Sequence, residues 1–174
     1  MEKSLTILLH GDPGVGKSWL ANTSPGPRLI LDVEGGTKFL PGRQITWADA
    51  HEAPPMPDGS WDTCVLHVRD LKTVAAALPW LQRGKHGFNS VVIDSLSELQ
   101  KRLVDEIAGT EQLQLQDWGQ VFRRGESLVR AFRDLVGNPV RPLYMVTFIT
   151  LTRDTVDRKV EGHKPYVQGQ IGLT

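Results

Sequence analysis

The segment Gly11-Asp12-Pro13-Gly14-Val15-Gly16-Lys17-Ser18 sets glycines, a lysine and a hydroxyl at the spacing G-x-x-x-x-G-K-S/T. Its glycines free the main chain to aim several amide N–H groups at one point, which is how a loop cradles phosphate oxygens. A helix beginning near Lys17 adds its positive dipole end. Lys17 is expected to reach the β- and γ-phosphates, and Ser18 to offer its hydroxyl to Mg²⁺. The expected ligand is ATP or a close relative with Mg²⁺, held by residues 11–18 and the adjoining Trp19.

A magnesium-bound triphosphate needs a further acid. Asp94, closing Val91-Val92-Ile93, is placed to hold the metal while also beginning the turn into the next helix. Hydrolysis also needs a base for the attacking water. Ring ATPases of the AAA+ kind usually carry a glutamate directly after the metal-binding aspartate, whereas here that position is Ser95. Asp32-Val33-Glu34 ends another apolar run, and two-residue alternation puts both acids on one side with Glu34 farther out. Glu34 is the candidate catalytic base alongside Lys17, with a solvated loop acid before Gly35-Gly36 as the alternative. Asp32 reads as structural.

Strands and helices must bring these groups together. Leu5 to Leu9 reads as a strand buried on both faces, and Lys17 to Asn22 as a short helix stopped by Ser24-Pro25-Gly26-Pro27. A second buried strand runs from Arg28 to Glu34, and the proline-bearing stretch 48–62 reads as a surface loop. A short strand near 64–68 and a helix over about 70–83, interrupted by Pro79, come next. Ser90 to Asp94 is strongly strand-like, and Ser95 to Glu98 is a capping box opening a helix with Leu96, Leu99, Leu103 and Ile107 on one face. After a polar loop at 112–116, Trp118, Val121, Phe122, Val129, Phe132 and Val136 recur at helical spacing from 117 to about 136. Leu143 to Ile149 is a last strand before a charged connection over 150–165. Strands alternating with helices imply an α/β fold with a mainly parallel sheet, helices on both faces and the ligand at the carboxyl edge.

At 174 residues the chain suits one domain, residues 1–174. Its 20 basic and 20 acidic side chains cancel, so net charge neither favours nor excludes nucleic acid. Cys64 among apolar neighbours reads as a buried thiol in a reducing, cytoplasmic setting. No secretory or membrane-spanning segment is visible, so no membrane partner is expected. The chain stops at Gln170-Ile171-Gly172-Leu173-Thr174 inside what reads as a strand entry, so a further C-terminal segment is expected.

Gly11 to Ser18, Leu31-Asp32-Val33-Glu34-Gly35-Gly36 and Val91 to Leu99 together resemble the RecA-type ATPase core. With the short length and the Gln116-Asp117-Trp118-Gly119 helix opening, the chain is similar to small truncated RecA-like proteins of bacteriophages. That resemblance implies a three-layer P-loop NTPase fold of RecA-like type and carries water activation onto Glu34. It also implies a polar residue closing the following core strand as γ-phosphate sensor, for which Thr147 is the best substitute. It places a single-stranded DNA contact at Arg153, Arg158, Lys159, His163 and Lys164, although Asp154, Asp157 and Glu161 leave a solvated charged hairpin equally open. Head-to-tail self-association, a host-cytoplasm setting and a single-strand binding protein as a further partner follow from the same resemblance.

The leading expectation is a magnesium-dependent ATPase acting on single-stranded DNA in phage recombination, annealing or replication. The alternative is a nucleotide-dependent switch or scaffold recruiting a replication or packaging partner with little turnover. A phosphotransferase lacks an arginine-rich lid, since the 48–62 loop contains no arginine. The sequence carries neither Asn-Lys-x-Asp for guanine nor the Leu-Ser-Gly-Gly of transporter ATPases.

Overall fold

The computed structural model describes residues 4–109 and 115–152. Its strands are β1 (Leu5–Gly11), β2 (Arg28–Asp32), β3 (Gln44–Thr46), β4 (Thr63–His67), β5 (Ser90–Asp94) and β6 (Met145–Leu151). Its helices are α1 (Lys17–Ala21), α2 (Leu71–Gln82), α3 (Leu96–Ala108) and α4 (Leu115–Arg133). The strands form one sheet in the order β1-β6-β5-β2-β4-β3, and every pairing is parallel. Parallel neighbours need crossovers, which run through helices except between β3 and β4, where the 47–62 loop makes the connection.

Period-two alternation sorts the strand side chains into two layers. Leu29, Leu31, Val91, Ile93, Val146 and Phe148 pack with side chains of α2, α3 and α4, among them Val74, Leu81, Leu99 and Phe132. Ile30, Val92 and Ile149 face the other way, against Ala21 of α1 and Leu40. The result is a three-layer α/β fold, as the order of elements predicts.

Several expectations are corrected. The first strand reads as buried on both faces, yet among the described residues β1 pairs only with β6, leaving Leu5 51% and Leu8 43% exposed. A continuous apolar run does not distinguish an edge strand from a central one. β2 ends at Asp32 rather than Glu34. β3, only three residues long, shows too little periodicity to be foreseen. The stretch 48–62 is a loop, as read, and is pinned to the body of the fold, with Trp47 and Trp61 buried and Trp80 Nε1 donating to the Ala50 carbonyl at 3.1 Å.

α3 begins where the capping box predicts, with the Ser95 hydroxyl accepting from the Glu98 N–H at 3.2 Å. α4 already includes Leu115 and Gln116, part of the expected loop. Val121 and Phe132 of α4 are buried, but Trp118 and Phe122 stay about half exposed beside an apolar groove of about 620 Å³ between α2, α3 and α4. No described helix is long and apolar enough to cross a membrane.

Candidate nucleotide site

β1 ends at Gly11, and residues 12–16 carry the chain over into α1. Gly14 and Gly16 adopt φ of 79° and 91°, and a methyl group at either would meet open space. Backbone conformation alone therefore selects glycine here. Val15 and Trp19 are exposed around this loop, as are Asp12 and Pro13. Lys17 Nζ donates to the carbonyls of Gly11 at 2.8 Å and Asp12 at 2.6 Å, so its charge lies folded along its own loop. A phosphate oxygen is a stronger, charged acceptor for that ammonium.

β6 separates β1 from β5, so their carboxyl ends stand two strand spacings apart, roughly 10 Å. Ser18, on α1, brings its hydroxyl across this gap to the Asp94 carboxyl at the end of β5. Burial pushes the Asp94 carboxyl above the usual carboxylate range, with Glu34 and Asp32 adding to the effect and Ser18 and Lys17 opposing it. A buried carboxylate and a hydroxyl, flanked by two more acids, form an oxygen-only donor set short of positive charge. That chemistry fits Mg²⁺, which Ser18 and Asp94 would hold.

Asp32 turns back rather than outward. Its carboxylate accepts from the N–H groups of Gly35 at 2.7 Å and Gly36 at 3.2 Å and from the Thr37 hydroxyl at 2.5 Å, with His67 Nδ1 at 3.4 Å. Those bonds end β2 and set Glu34 on a bend, so strand alternation does not orient it. Ser95 does, its hydroxyl donating to Glu34 Oε1. The Val33 N–H donates to the Asp94 carbonyl at 2.7 Å, and the Arg102 guanidinium donates to the Val33 carbonyl at 2.8 Å. Lys17, Ser18, Asp94 and Glu34 thus converge at one edge of the sheet.

Thr147 does not join them. It is 2% exposed in the body of β6, level with Ile7 and Val92, with Ile149 and Leu151 between it and the carboxyl edge. Its hydroxyl is buried without a partner among the described residues. The residue that does reach the loop is Thr152, whose hydroxyl donates to Asp12 and whose N–H donates to the Gly11 carbonyl at 3.2 Å. Arg153, Arg158, Lys159, His163 and Lys164 lie outside the described residues. Sequence reasoning missed Thr152, Arg102 and the second role of Ser95; only the helix cap at Ser95 left a local signal.

A parallel sheet whose glycine loop opens a helix, with an acid from a strand one removed bonded to that helix's hydroxyl, defines a P-loop NTPase. The chain belongs to the AAA domain family, which it matches over residues 3–171, and is a nucleotide-binding P-loop ATPase domain. No curated protein matches it. The chain carries Ser95 directly after Asp94, and Ser95 bonds to Glu34, which lies just beyond the end of β2.

Proposed function

We propose that the protein hydrolyses ATP with Mg²⁺ at this site, with Glu34 as the base. The observation that carries this reading is the meeting of Ser18, Asp94 and Glu34 beside Lys17. Lys17 leaves the carbonyls of Gly11 and Asp12 for the β- and γ-phosphates. Mg²⁺, when bound, neutralises charge on the phosphate oxygens. Glu34 takes a proton from water as the water oxygen bonds to the γ-phosphorus, and the bond to the β-γ bridging oxygen breaks to release ADP.

By its resemblance to short phage RecA-like proteins, the domain acts on single-stranded DNA in recombination, annealing or replication, assembling head to tail. The supporting features are the three motif segments and the basic side chains Arg153, Arg158, Lys159 and Lys164 in the mixed-charge stretch after β6. The test is ATP turnover with and without Mg²⁺ and single-stranded DNA across a salt series. Turnover that needs Mg²⁺ and rises with DNA, in a salt-sensitive way, is expected. Loss of both DNA stimulation and salt-sensitive binding removes the DNA half.

The half-exposed Trp118 and Phe122 beside the groove favour a second reading, a nucleotide-dependent scaffold that recruits a protein partner. Tight ATP binding with negligible turnover, and an ATP-dependent pull-down, would support it over the first.

A further inference from the structure

Glu34 is an exposed residue with a long side chain on a bend, a poor place for a group that must hold water in line. Its backbone is fixed from two sides, by the Val33 N–H on the Asp94 carbonyl and by Arg102 on the Val33 carbonyl. Those contacts leave the side-chain torsions free. Among the described residues, the one group seen to fix the carboxylate is the Ser95 hydroxyl.

Ser95 is fully buried and forms the N-cap of α3. Its oxygen accepts from the Glu98 N–H, and a hydroxyl has only one proton to give. With the acceptor side held by the helix, that proton points at Glu34. We propose that Ser95 is a positioning residue for hydrolysis, its hydroxyl holding the Glu34 carboxylate at the end of β5 so that an acid from the bend after β2 works beside Asp94. The proposal rests on Glu34 being the base. It assigns to one oxygen both the start of α3 and the aim of the catalytic side chain.

The experiment measures kcat and KM for ATP with Mg²⁺ in the parent, Ser95→Ala, Ser95→Gly, Glu34→Gln and the Ser95→Ala/Glu34→Gln double variant. Alanine removes the cap and the tether, whereas glycine substitutes for a capping serine at little cost and removes only the tether. Both single serine variants are expected to lose kcat by about 100-fold, the scale of a base misplaced by about an ångström, with KM unchanged. The serine change should add nothing in the Glu34→Gln background, where no base remains to be aimed. Parent-like kcat in Ser95→Gly, or an undiminished further loss in the double variant, overturns the tether and leaves Ser95 a helix cap. Parent-like kcat in Glu34→Gln removes the base itself, and with it both this proposal and the hydrolytic reading above.

Discussion

Asp32 and Asp94 are register partners at the carboxyl ends of β2 and β5, yet they are committed to different work. Asp32 gives its oxygens to the turn at Gly35, Gly36 and Thr37, and Asp94 meets the Ser18 hydroxyl. Two identical side chains on one edge thus divide into a fastener for the turn and a partner for the α1 hydroxyl, and the difference lies in which donors surround each.

Asp32→Ala should strip the Gly35 and Gly36 N–H groups and the buried Thr37 hydroxyl of their acceptor. A loss of about 2–3 kcal/mol of stability is expected from groups left unsatisfied, with a fall in turnover as the Glu34 bend loosens. Urea unfolding and ATP turnover measure the two effects; an unchanged unfolding midpoint would show that the turn closes without Asp32.

Asp94→Asn should separate stability from activity. Burial and two neighbouring acids raise the Asp94 pKa, so the folded chain holds a proton that the unfolded chain gives up, and stability falls as pH rises through that raised value. The amide removes the cost, so the nucleotide-free variant is expected to melt higher, each kcal/mol being worth about 2–4 °C in a chain of this size. Magnesium-dependent turnover should vanish. A lower melting temperature, or turnover that still responds to Mg²⁺, would count against this role.

Thr147→Val tests the sensor expected from resemblance. Thr147 lies buried in mid-strand with a hydroxyl unpartnered among the described residues, so replacing it by a near-isosteric methyl should leave turnover unchanged and stability equal or slightly higher. A large drop in kcat with an unchanged fold would return Thr147 to the phosphate site.

His86 makes the fold sensitive to acid. Burial, reinforced by the Arg141 charge, lowers its pKa to about 4, while in an unfolded chain histidine titrates near pH 6.5. Between those values the unfolded chain binds more protons, so stability rises with pH through the window and is lost on the way down. His86→Asn keeps an acceptor for the Phe88 N–H, which His86 Nδ1 takes at 3.2 Å, without titrating. Urea midpoints from pH 4 to 7 should slope less in the variant than in the parent; parallel curves would assign the slope to other groups.

How much was legible varied with how local the signal is. Ser90–Asp94 and the Ser95 cap are found where they were read, because a β-branched run and a capping box are written into adjacent residues. The glycine loop was legible for the same reason. Strand alternation points to Glu34, but β2 stops at Asp32 because that carboxylate gathers the N–H groups that follow it. The orientation of Glu34 comes instead from Ser95, far off in the sequence, and no local pattern announces such a bond. Thr147 comes only from the resemblance, as a substitute for a polar residue closing its strand, and β6 runs on to Leu151, so the residue at that edge is Thr152. Trp118 and Phe122 show the limit of helical periodicity, which identifies an apolar face but not whether a neighbouring helix closes over it.

The most direct test compares ATP turnover and ATP binding in the parent, Glu34→Gln and Lys17→Ala, with Mg²⁺ present. Glu34→Gln is expected to bind ATP as the parent does by calorimetry while losing about 100-fold or more in kcat, the usual worth of a general base. Lys17→Ala should lose affinity, roughly tenfold or more for a charge-assisted bond to phosphate. Equal turnover in Glu34→Gln and the parent, or no heat on adding ATP to the parent, would contradict the hydrolytic site described for this fold.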